Sequence, residues 1–167
     1  MPESPAIDVL VQGAHALARG HDPQVILEGL LSGIAEATGA GSGAILIADG
    51  PTSDLRIVAS IGLEAETAAG LTAAVRNPAH AVARTFMTAE TGFDVLPAAP
   101  GGPTLRSHLP LIVGRDRGER VVGVLALAHD QPIEPALRPI VVGVADLAAL
   151  AVERAQPAGG GSGRPNR

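Results

Sequence analysis

The sequence predicts an α+β fold in which a central antiparallel sheet of roughly five to six strands carries helices on both faces. Residues 105–129 read LRSHLPLIVGRDRGERVVGVLALAH, where two runs of β-forming residues flank a short charged loop, a pattern typical of a β-hairpin. A strand that is apolar on both faces is expected at the centre of a sheet, and the helical pattern over 134–155 would cover it. The second run is such a strand, with Val122, Val124 and Ala126 on one side and Val121, Leu125 and Leu127 on the other.

Two amphipathic helices are predicted at the amino end. Apolar residues recur at helical spacing from Ile7 to Ala18, and Gly20 can end this first helix. Asp22 and Pro23 then supply an N-cap and a first-turn proline for a second helix. Residues 38–41 end that helix, and its apolar stripe comprises Ile26, Leu27, Leu30, Leu31, Ile34 and Ala35.

The middle of the chain alternates strand patterns with helical patterns. Two strands joined by a turn-rich segment should form an antiparallel pair. Two helices follow, separated by a break at Asn77 and Pro78, and Gly92 is expected to close the second helix. The predicted elements are strands over 44–48 and 55–60, helices over 64–76 and 79–88, a short edge strand over 93–96 and a proline- and glycine-rich loop over 97–103.

Composition excludes several classes of chemistry. The 167 residues fit one domain, and the 12 basic and 17 acidic side chains give a net charge of -5, which disfavours nucleic-acid binding. The chain has no cysteine, which excludes disulfides, thiolate nucleophiles, cysteine metal sites and thioether-linked chromophores. All 12 basic residues are Arg, so Schiff-base chemistry on lysine is excluded as well.

The ends of the chain carry little sign of targeting. The amino-terminal MPESPAIDVL lacks a positive region and a long apolar core, and no segment reaches the roughly 20 apolar residues of a membrane span. We therefore expect a cytoplasmic protein that does not associate with membranes. The predicted organisation is an amphipathic helix over 1–22, the main domain over 23–155, and a Gly, Pro and Ser tail over 156–167 that is expected to be disordered.

Four segments carry a family resemblance. Residues 24–44, QVILEGLLSGIAEATGAGSGA, look like the leading helix and first strand of a GAF domain, and residues 57–63, IVASIGL, look like its second strand. The runs LRSHLPLIV and RVVGVLALA resemble its closing hairpin. Together with the order of the elements, the resemblance covers about residues 5–155. It implies a GAF or PAS-like sheet with a helical layer on one face and a small-molecule pocket, walled by about 62–108, on the other.

Several ligands known in the GAF family are disfavoured by this sequence. The cyclic-nucleotide signature needs an Asn-Lys pair and a later spaced Phe and Asp-Glu, whereas Asn77 is followed by Pro78 here. Covalent bilin attachment and methionine sulfoxide reduction both need cysteine, which the chain lacks. Haem would require His80 or His108 as the axial ligand, although a lone histidine is more often structural. The cofactor is unknown, and no metal site is expected.

Basic side chains define the candidate ligand site. Arg106 and His108 are two apart on a strand and share a face, and His80 and Arg84 are four apart on a helix and share a face. The alternative is a pair of solvent-facing arginines with capping histidines. Asp94 is expected either to orient one of the basic groups or to be an ordinary turn residue.

Two kinds of apolar residue are also expected in this region. Phe86 and Phe93 are pocket-lid residues or, alternatively, core residues. Small side chains leave room either for a ligand or for a closely packed helix, and these are Ala44, Ala48, Ala126 and Ala128.

The resulting hypothesis is a sensory or regulatory domain that is not an enzyme and that signals through a protein partner. The local excess of basic groups favours a small organic anion as its ligand. A homodimer is expected through the terminal helices, whose stripes are Ile7, Leu10, Val11, Ala14 and Leu17, and Ile140, Val144, Leu147 and Leu150. The alternative function is a ligand-free module for dimerisation and protein interaction.

Overall fold

The computed structural model describes residues 4–49, 54–97, 104–114 and 118–155. Its element order confirms the predicted α+β fold. The elements are α1 (Pro5–Ala18), α2 (Pro23–Thr38), β1 (Ser42–Asp49), β2 (Asp54–Ile61), α3 (Ala65–Ala74), α4 (Ala81–Thr88), β3 (Gly92–Val95), β4 (Leu105–Val113), β5 (Arg120–His129) and α5 (Arg138–Ala155).

One antiparallel sheet contains five strands in the order β2-β1-β5-β4-β3. β5 therefore lies at the centre, as its two apolar faces predict, and β2 and β3 form the edges. The register between β4 and β5 shifts between Leu111 and Ile112. Because of this bulge, Val122 packs in the core beside Leu125, and its predicted placement beside Val124 is wrong.

The larger hydrophobic core lies between the sheet and a layer formed by α1, α2 and α5. Small side chains on α5 let this helix approach the sheet closely, because Ala148, Ala149 and Ala151 are fully buried. α1 is part of the same core: Leu17 is buried, and its carbonyl oxygen accepts a hydrogen bond from Arg154 of α5. The amino-terminal helix therefore packs against the main domain as one of its layers.

The opposite face of the sheet is covered by α3 and α4, with a smaller core. That core contains Ala44, Leu46, Leu55, Val75, Val82 and Val124. Five of the predicted site residues belong to this second face, which we call the α4 face: His80, Arg84, Phe86, Arg106 and His108.

Local signals in the sequence explain most of the helix ends. The Asp22 carboxylate accepts a hydrogen bond from the Gln24 amide at 2.9 Å, and Gly39 ends α2 in the left-handed conformation with φ 72°. α4 ends at Thr88, as predicted, and Ala89 closes it in the left-handed conformation with φ 58°. Gly92, which was expected to close that helix, instead begins β3.

The last helix begins later than predicted. The sequence predicts a helix from about residue 134, whereas α5 begins at Arg138 and residues 134–137 form turns before it. The predicted loop over 97–103 lies outside the described residues except for its first residue, and the predicted tail over 156–167 lies wholly outside them. Among the described helices, none is both long and apolar enough to cross a bilayer.

Candidate functional site

A row of small residues crosses the α4 face of the sheet around one large side chain. His108 of β4 pairs with Gly92 on one side and with Ala126 on the other, and Ala126 in turn pairs with Ala44. Residues paired across an antiparallel sheet share a face, so the His108 imidazole rises from a floor of glycine and alanine. Of the four small residues predicted on the central strands, Ala44 and Ala126 belong to this row.

Three basic residues meet above this floor, and we call His80, Arg106 and His108 the basic cluster. Burial, and then electrostatic repulsion from His80 and Arg106, lower the pKa of His108 to about 4 from its ordinary value of 6.5. Burial and the Arg106 guanidinium likewise lower the pKa of His80. These mutual effects mean that the three side chains lie close together. The cluster runs from exposed Arg106 at its rim to His108, only 7% exposed, at its floor.

His80 has a structural task in addition to its place in the cluster. It is the N-cap of α4, and its Nδ1 accepts a hydrogen bond from the Val82 amide at 3.2 Å. An accepting Nδ1 cannot carry a proton, so the neutral ring carries its proton on Nε2. The alternative interpretation of His80 as a capping histidine is therefore correct, and its Nε2–H remains available as a donor.

The basic cluster has no acidic counterpart within the described part of the chain. The ion pairs of Asp94 lie on the other side of the sheet, and among the described residues no ion pair joins Arg106, His80 or His108 to an acid. A permanent guanidinium charge beside a buried, neutral histidine is an electrostatic environment that an anion would complete.

Two other predicted site residues lie on the α4 face but outside the cluster. Arg84 is exposed on α4, one turn after His80. Phe86 is half-buried against the smaller core. It also lines an open cavity of about 290 Å³ together with Asp54, Leu55, Val75, Arg76, Pro78, Ala83 and Met87.

Phe93 and Asp94 lie on the opposite side of the sheet, away from the basic cluster. Phe93 packs against the larger core, and the Arg138 guanidinium lies 5.2 Å from the centre of its ring. The Asp94 carboxylate accepts hydrogen bonds from the Ile133 amide at 2.9 Å and from Arg138 Nη2 at 2.8 Å. Asp94 does orient a guanidinium, but it is that of Arg138 and not one of those named from the sequence.

Ser107 and His129 form a buried pair beside Asp94 that the sequence analysis did not identify. His129 Nδ1 lies 2.7 Å from the Gln131 carbonyl oxygen, which can only accept, so Nδ1 carries the proton. Nε2 then accepts from the Ser107 hydroxyl at 2.8 Å. The signal that could have found this pair is the register of the predicted hairpin. Ser107 pairs with Leu127, and His129 lies two residues further along β5 on the same face.

This pair lacks the arrangement of a catalytic triad. In a triad a carboxylate binds the Nδ1–H of the histidine, whereas that position here is taken by the Gln131 carbonyl. The nearest Asp94 oxygen lies 3.9 Å from Nε2, the nitrogen that already faces Ser107. Ser107 and His129 are also 0% and 2% exposed, so a substrate could not reach them in this conformation.

A second open cavity lies between α1 and α2 and was not expected from the sequence. Its volume is about 300 Å³, and it is lined by Val9, Gln12, Gly13, Ala16, His21, Val25, Ile26, Gly29, Leu30 and Gly33. In the described part of the chain, no group of three or more His, Asp or Glu side chains is arranged to hold a metal ion.

Comparison with known proteins agrees with this architecture. The family model described as "GAF domain" matches residues 22–154. The fold is similar to the GAF domain of an Acinetobacter phosphoenolpyruvate-protein phosphotransferase, with 18% identity and a TM-score of 0.67 over 89% of this chain and 93% of that chain. It is also similar to the second GAF domain of DevS from Mycobacterium smegmatis, with 26% identity and a TM-score of 0.58 over 80% of this chain and 95% of that chain.

A further solved structure with this fold is an enzyme. It is the free methionine-R-sulfoxide reductase from Neisseria meningitidis in complex with its substrate, with 15% identity and a TM-score of 0.64 over 89% of this chain and 88% of that chain. No curated protein matches the chain. Since the family model spans most of the sequence and solved GAF domains share the fold, the chain belongs to the GAF domain family, a family of sensory and regulatory domains.

Proposed function

We propose that this GAF domain is a regulatory module that binds a small organic anion at the basic cluster. The observation that carries the proposal is the buried His108 facing His80 and Arg106, with no described acidic side chain in an ion pair with any of the three. A folded chain with a net charge of -5 nevertheless holds these groups together, and an anion would supply the missing opposite charge.

Each member of the basic cluster offers the anion a different contact. Arg106 lies at the exposed rim and supplies a permanent charge with several N–H donors. The His80 Nε2–H is a neutral donor, because its Nδ1 is occupied by the α4 cap. His108 is neutral at pH 7, and a bound anion would raise its pKa, since an opposite charge favours the protonated ring.

We expect the residues around the cluster to leave room for a ligand and to add further contacts. Ala126 and Gly92 flank His108 on the neighbouring strands, so a ligand of a few atoms could lie beside the imidazole without displacing large side chains. We propose Arg84 as a second cation at the rim, because it is exposed one turn after His80 on α4. Phe86 would form the apolar side of the site.

A regulatory role is favoured over an enzymatic one by the chemistry of the chain. Members of the family are regulatory in general, and the reductase similarity at 15% identity concerns the fold alone. The chain has no cysteine for thiol chemistry, and the Ser107 and His129 pair is buried without a carboxylate on Nδ1. The domain would pass its signal to a protein partner, and the absence of cysteine is compatible with a cytoplasmic location.

Calorimetric titration with inorganic phosphate and with succinate tests the anion site. A charge-assisted hydrogen bond contributes about 1.5 to 3 kcal/mol, so Arg106→Gln should weaken binding by roughly ten-fold to a hundred-fold. Arg19→Gln is the matched control, since Arg19 is exposed at the end of α1 on the other side of the sheet and should leave affinity unchanged. If wild-type protein binds neither anion at millimolar concentration, the ligand-free interaction module becomes the better account.

Exposed apolar residues on the terminal helices favour a homodimer as the assembled form. Ile7 and Val11 of α1 and Leu150 of α5 are 49%, 48% and 48% exposed, although these two helices pack against each other. Part of the expected interface is used inside the protomer, because Leu17 and Val144 are buried there. We propose that the exposed remainder forms the contact between two copies.

Sedimentation velocity of charge variants tests the dimer. Val11→Glu would place an unpaired charge in the interface and should convert the dimer into a monomer. Met87→Glu is the matched control, because Met87 is 59% exposed on α4, across the sheet from α1, and should leave the dimer intact. A wild-type protein that is already monomeric at micromolar concentration would refute the proposed assembly.

A further inference from the structure

The short edge strand β3 contacts the basic cluster at both of its ends. Gly92 pairs with His108, and Val95 pairs with Arg106, with an irregular register between the two pairs. The two inner residues of β3 contact the α5 side of the sheet instead. A strand of four residues therefore contacts both faces of the domain.

Asp94, one of those inner residues, holds the amino end of α5. Its carboxylate accepts hydrogen bonds from the Ile133 amide at 2.9 Å and from Arg138 Nη2 at 2.8 Å. Arg138 is the first residue of α5, and its guanidinium also stacks over the Phe93 ring at 5.2 Å. Both inner residues of β3 thus contact the same arginine.

The backbone of Asp94 depends on these contacts. Its φ of 55° is left-handed, a conformation that is unfavourable for a residue with a Cβ, although aspartate tolerates it better than most. The Asp94 amide donates to Ser107 Oγ at 3.2 Å, which fixes the strand from the β4 side. The shape of β3 and the position of Arg138 therefore depend on each other.

The Arg138 side chain is not fully satisfied in this arrangement. Its Nε is buried and has no hydrogen-bond partner in the described part of the chain. Buried donors are paired in nearly all proteins, so this N–H is a donor that another acceptor could still satisfy. A small displacement of β3 could change how this guanidinium is held.

We propose that Asp94 couples the basic cluster on one face of the sheet to the amino end of α5 on the other. An anion bound by Arg106 and His108 would displace those residues of β4, and β3 would follow because it pairs with both of them. Asp94 would then change its hold on Arg138 and Ile133. The ligand in this scheme rests on the proposed anion site, whereas the coupling itself can be measured without any ligand.

A double-mutant cycle on the full chain measures the coupling. Amide hydrogen exchange is followed by NMR at Ile133, which donates to Asp94, and at two amides of the first turn of α5, Ile140 and Val141. The cycle combines Arg106→Gln with Asp94→Asn, because asparagine tolerates the left-handed conformation but lacks the charge. If the residues are coupled, Arg106→Gln should change the exchange rates in the wild-type protein and in Asp94→Asn by factors that differ more than about two-fold.

The control repeats the cycle with Glu134→Gln, which removes an exposed acid from the turn before α5. There the effect of Arg106→Gln should match that in the wild-type protein. If Arg106→Gln changes the exchange rates equally, within about two-fold, with and without Asp94→Asn, the inference is overturned. It is also overturned if the cycle with Glu134→Gln is as non-additive as the cycle with Asp94→Asn. If Asp94→Asn fails to fold, Arg138→Gln breaks the same contact from the α5 side.

Inorganic phosphate separates the two proposals. In wild-type protein, saturating phosphate should change exchange at Ile133, and in Asp94→Asn phosphate should still bind without that change. Absence of phosphate binding would count against the anion site alone, since the ligand-free cycle still decides the coupling. Binding that leaves exchange at Ile133 unchanged in the wild-type protein would overturn the coupling alone.

Discussion

His108 should make this domain lose stability in mild acid. In the folded protein its pKa is about 4, because the imidazole is buried beside His80 and Arg106, whereas its ordinary value is 6.5. Between these two values the unfolded chain binds a proton that the folded chain does not. The free energy of unfolding therefore falls as the pH drops from 6.5 to about 4, and below that it no longer changes on account of this residue.

The size of the effect follows from the two pKa values. Each pKa unit corresponds to about 1.4 kcal/mol, so His108 should remove about 3 kcal/mol of stability when the pH falls from 7 to 4. This is a large share of the roughly 5 to 15 kcal/mol that stabilises a typical domain. Little of it is lost to solvent screening, since His108 is only 7% exposed.

Urea unfolding followed by far-UV circular dichroism measures this effect, because the chain has no tryptophan for fluorescence. The wild-type protein is compared with His108→Gln at pH 7, 6, 5 and 4, so that the titration of the carboxylates cancels in the difference. His15→Gln, at an exposed position on α1, should follow the wild-type curve. Parallel curves for the wild type and His108→Gln between pH 6.5 and 4 would refute the burial argument.

Two further predictions concern the fold, and chemical unfolding checks both. Asp22→Ala removes the cap of α2 and should lower the free energy of unfolding by about 1 kcal/mol. Asp22→Asn should keep most of the stability, because asparagine can also cap a helix. Equal losses in the two variants would contradict the capping role. Gly123→Ala would place a Cβ against the Leu46 carbonyl oxygen of the neighbouring strand and should cost about 1 to 3 kcal/mol, and a neutral result would mean that β1 and β5 are not packed as described.

Much of the fold was predictable because its signals are local. Asp22 with Pro23 marks the start of α2, and the doubly apolar run after the hairpin loop identifies the central strand. The errors arose where a long-range or backbone effect decides. Ala89, and not Gly92, closes α4, in a conformation that alanine rarely adopts, and the bulge beside Leu111 moves Val122 to the other face.

The candidate site was predictable in part. Arg106 and His108 are two residues apart on a strand, and this spacing correctly placed them on one face. The resemblance to GAF domains placed His80 near them. The role of Asp94 was not predictable, because its left-handed backbone lies in an irregular part of β3 and turns the carboxylate towards Arg138. Arg138 itself lies 44 residues away in sequence, and local patterns do not report contacts of that range.

The anion site is tested most directly by the imidazole NMR signal of His108. The chain has five histidines, and His108→Gln assigns the signal in question. Inorganic phosphate or succinate should raise the pKa of His108 from about 4 towards its ordinary value, because a bound anion favours the protonated ring, and Arg106→Gln should reduce that rise. A His108 signal that titrates identically with and without millimolar concentrations of both anions would contradict the proposal.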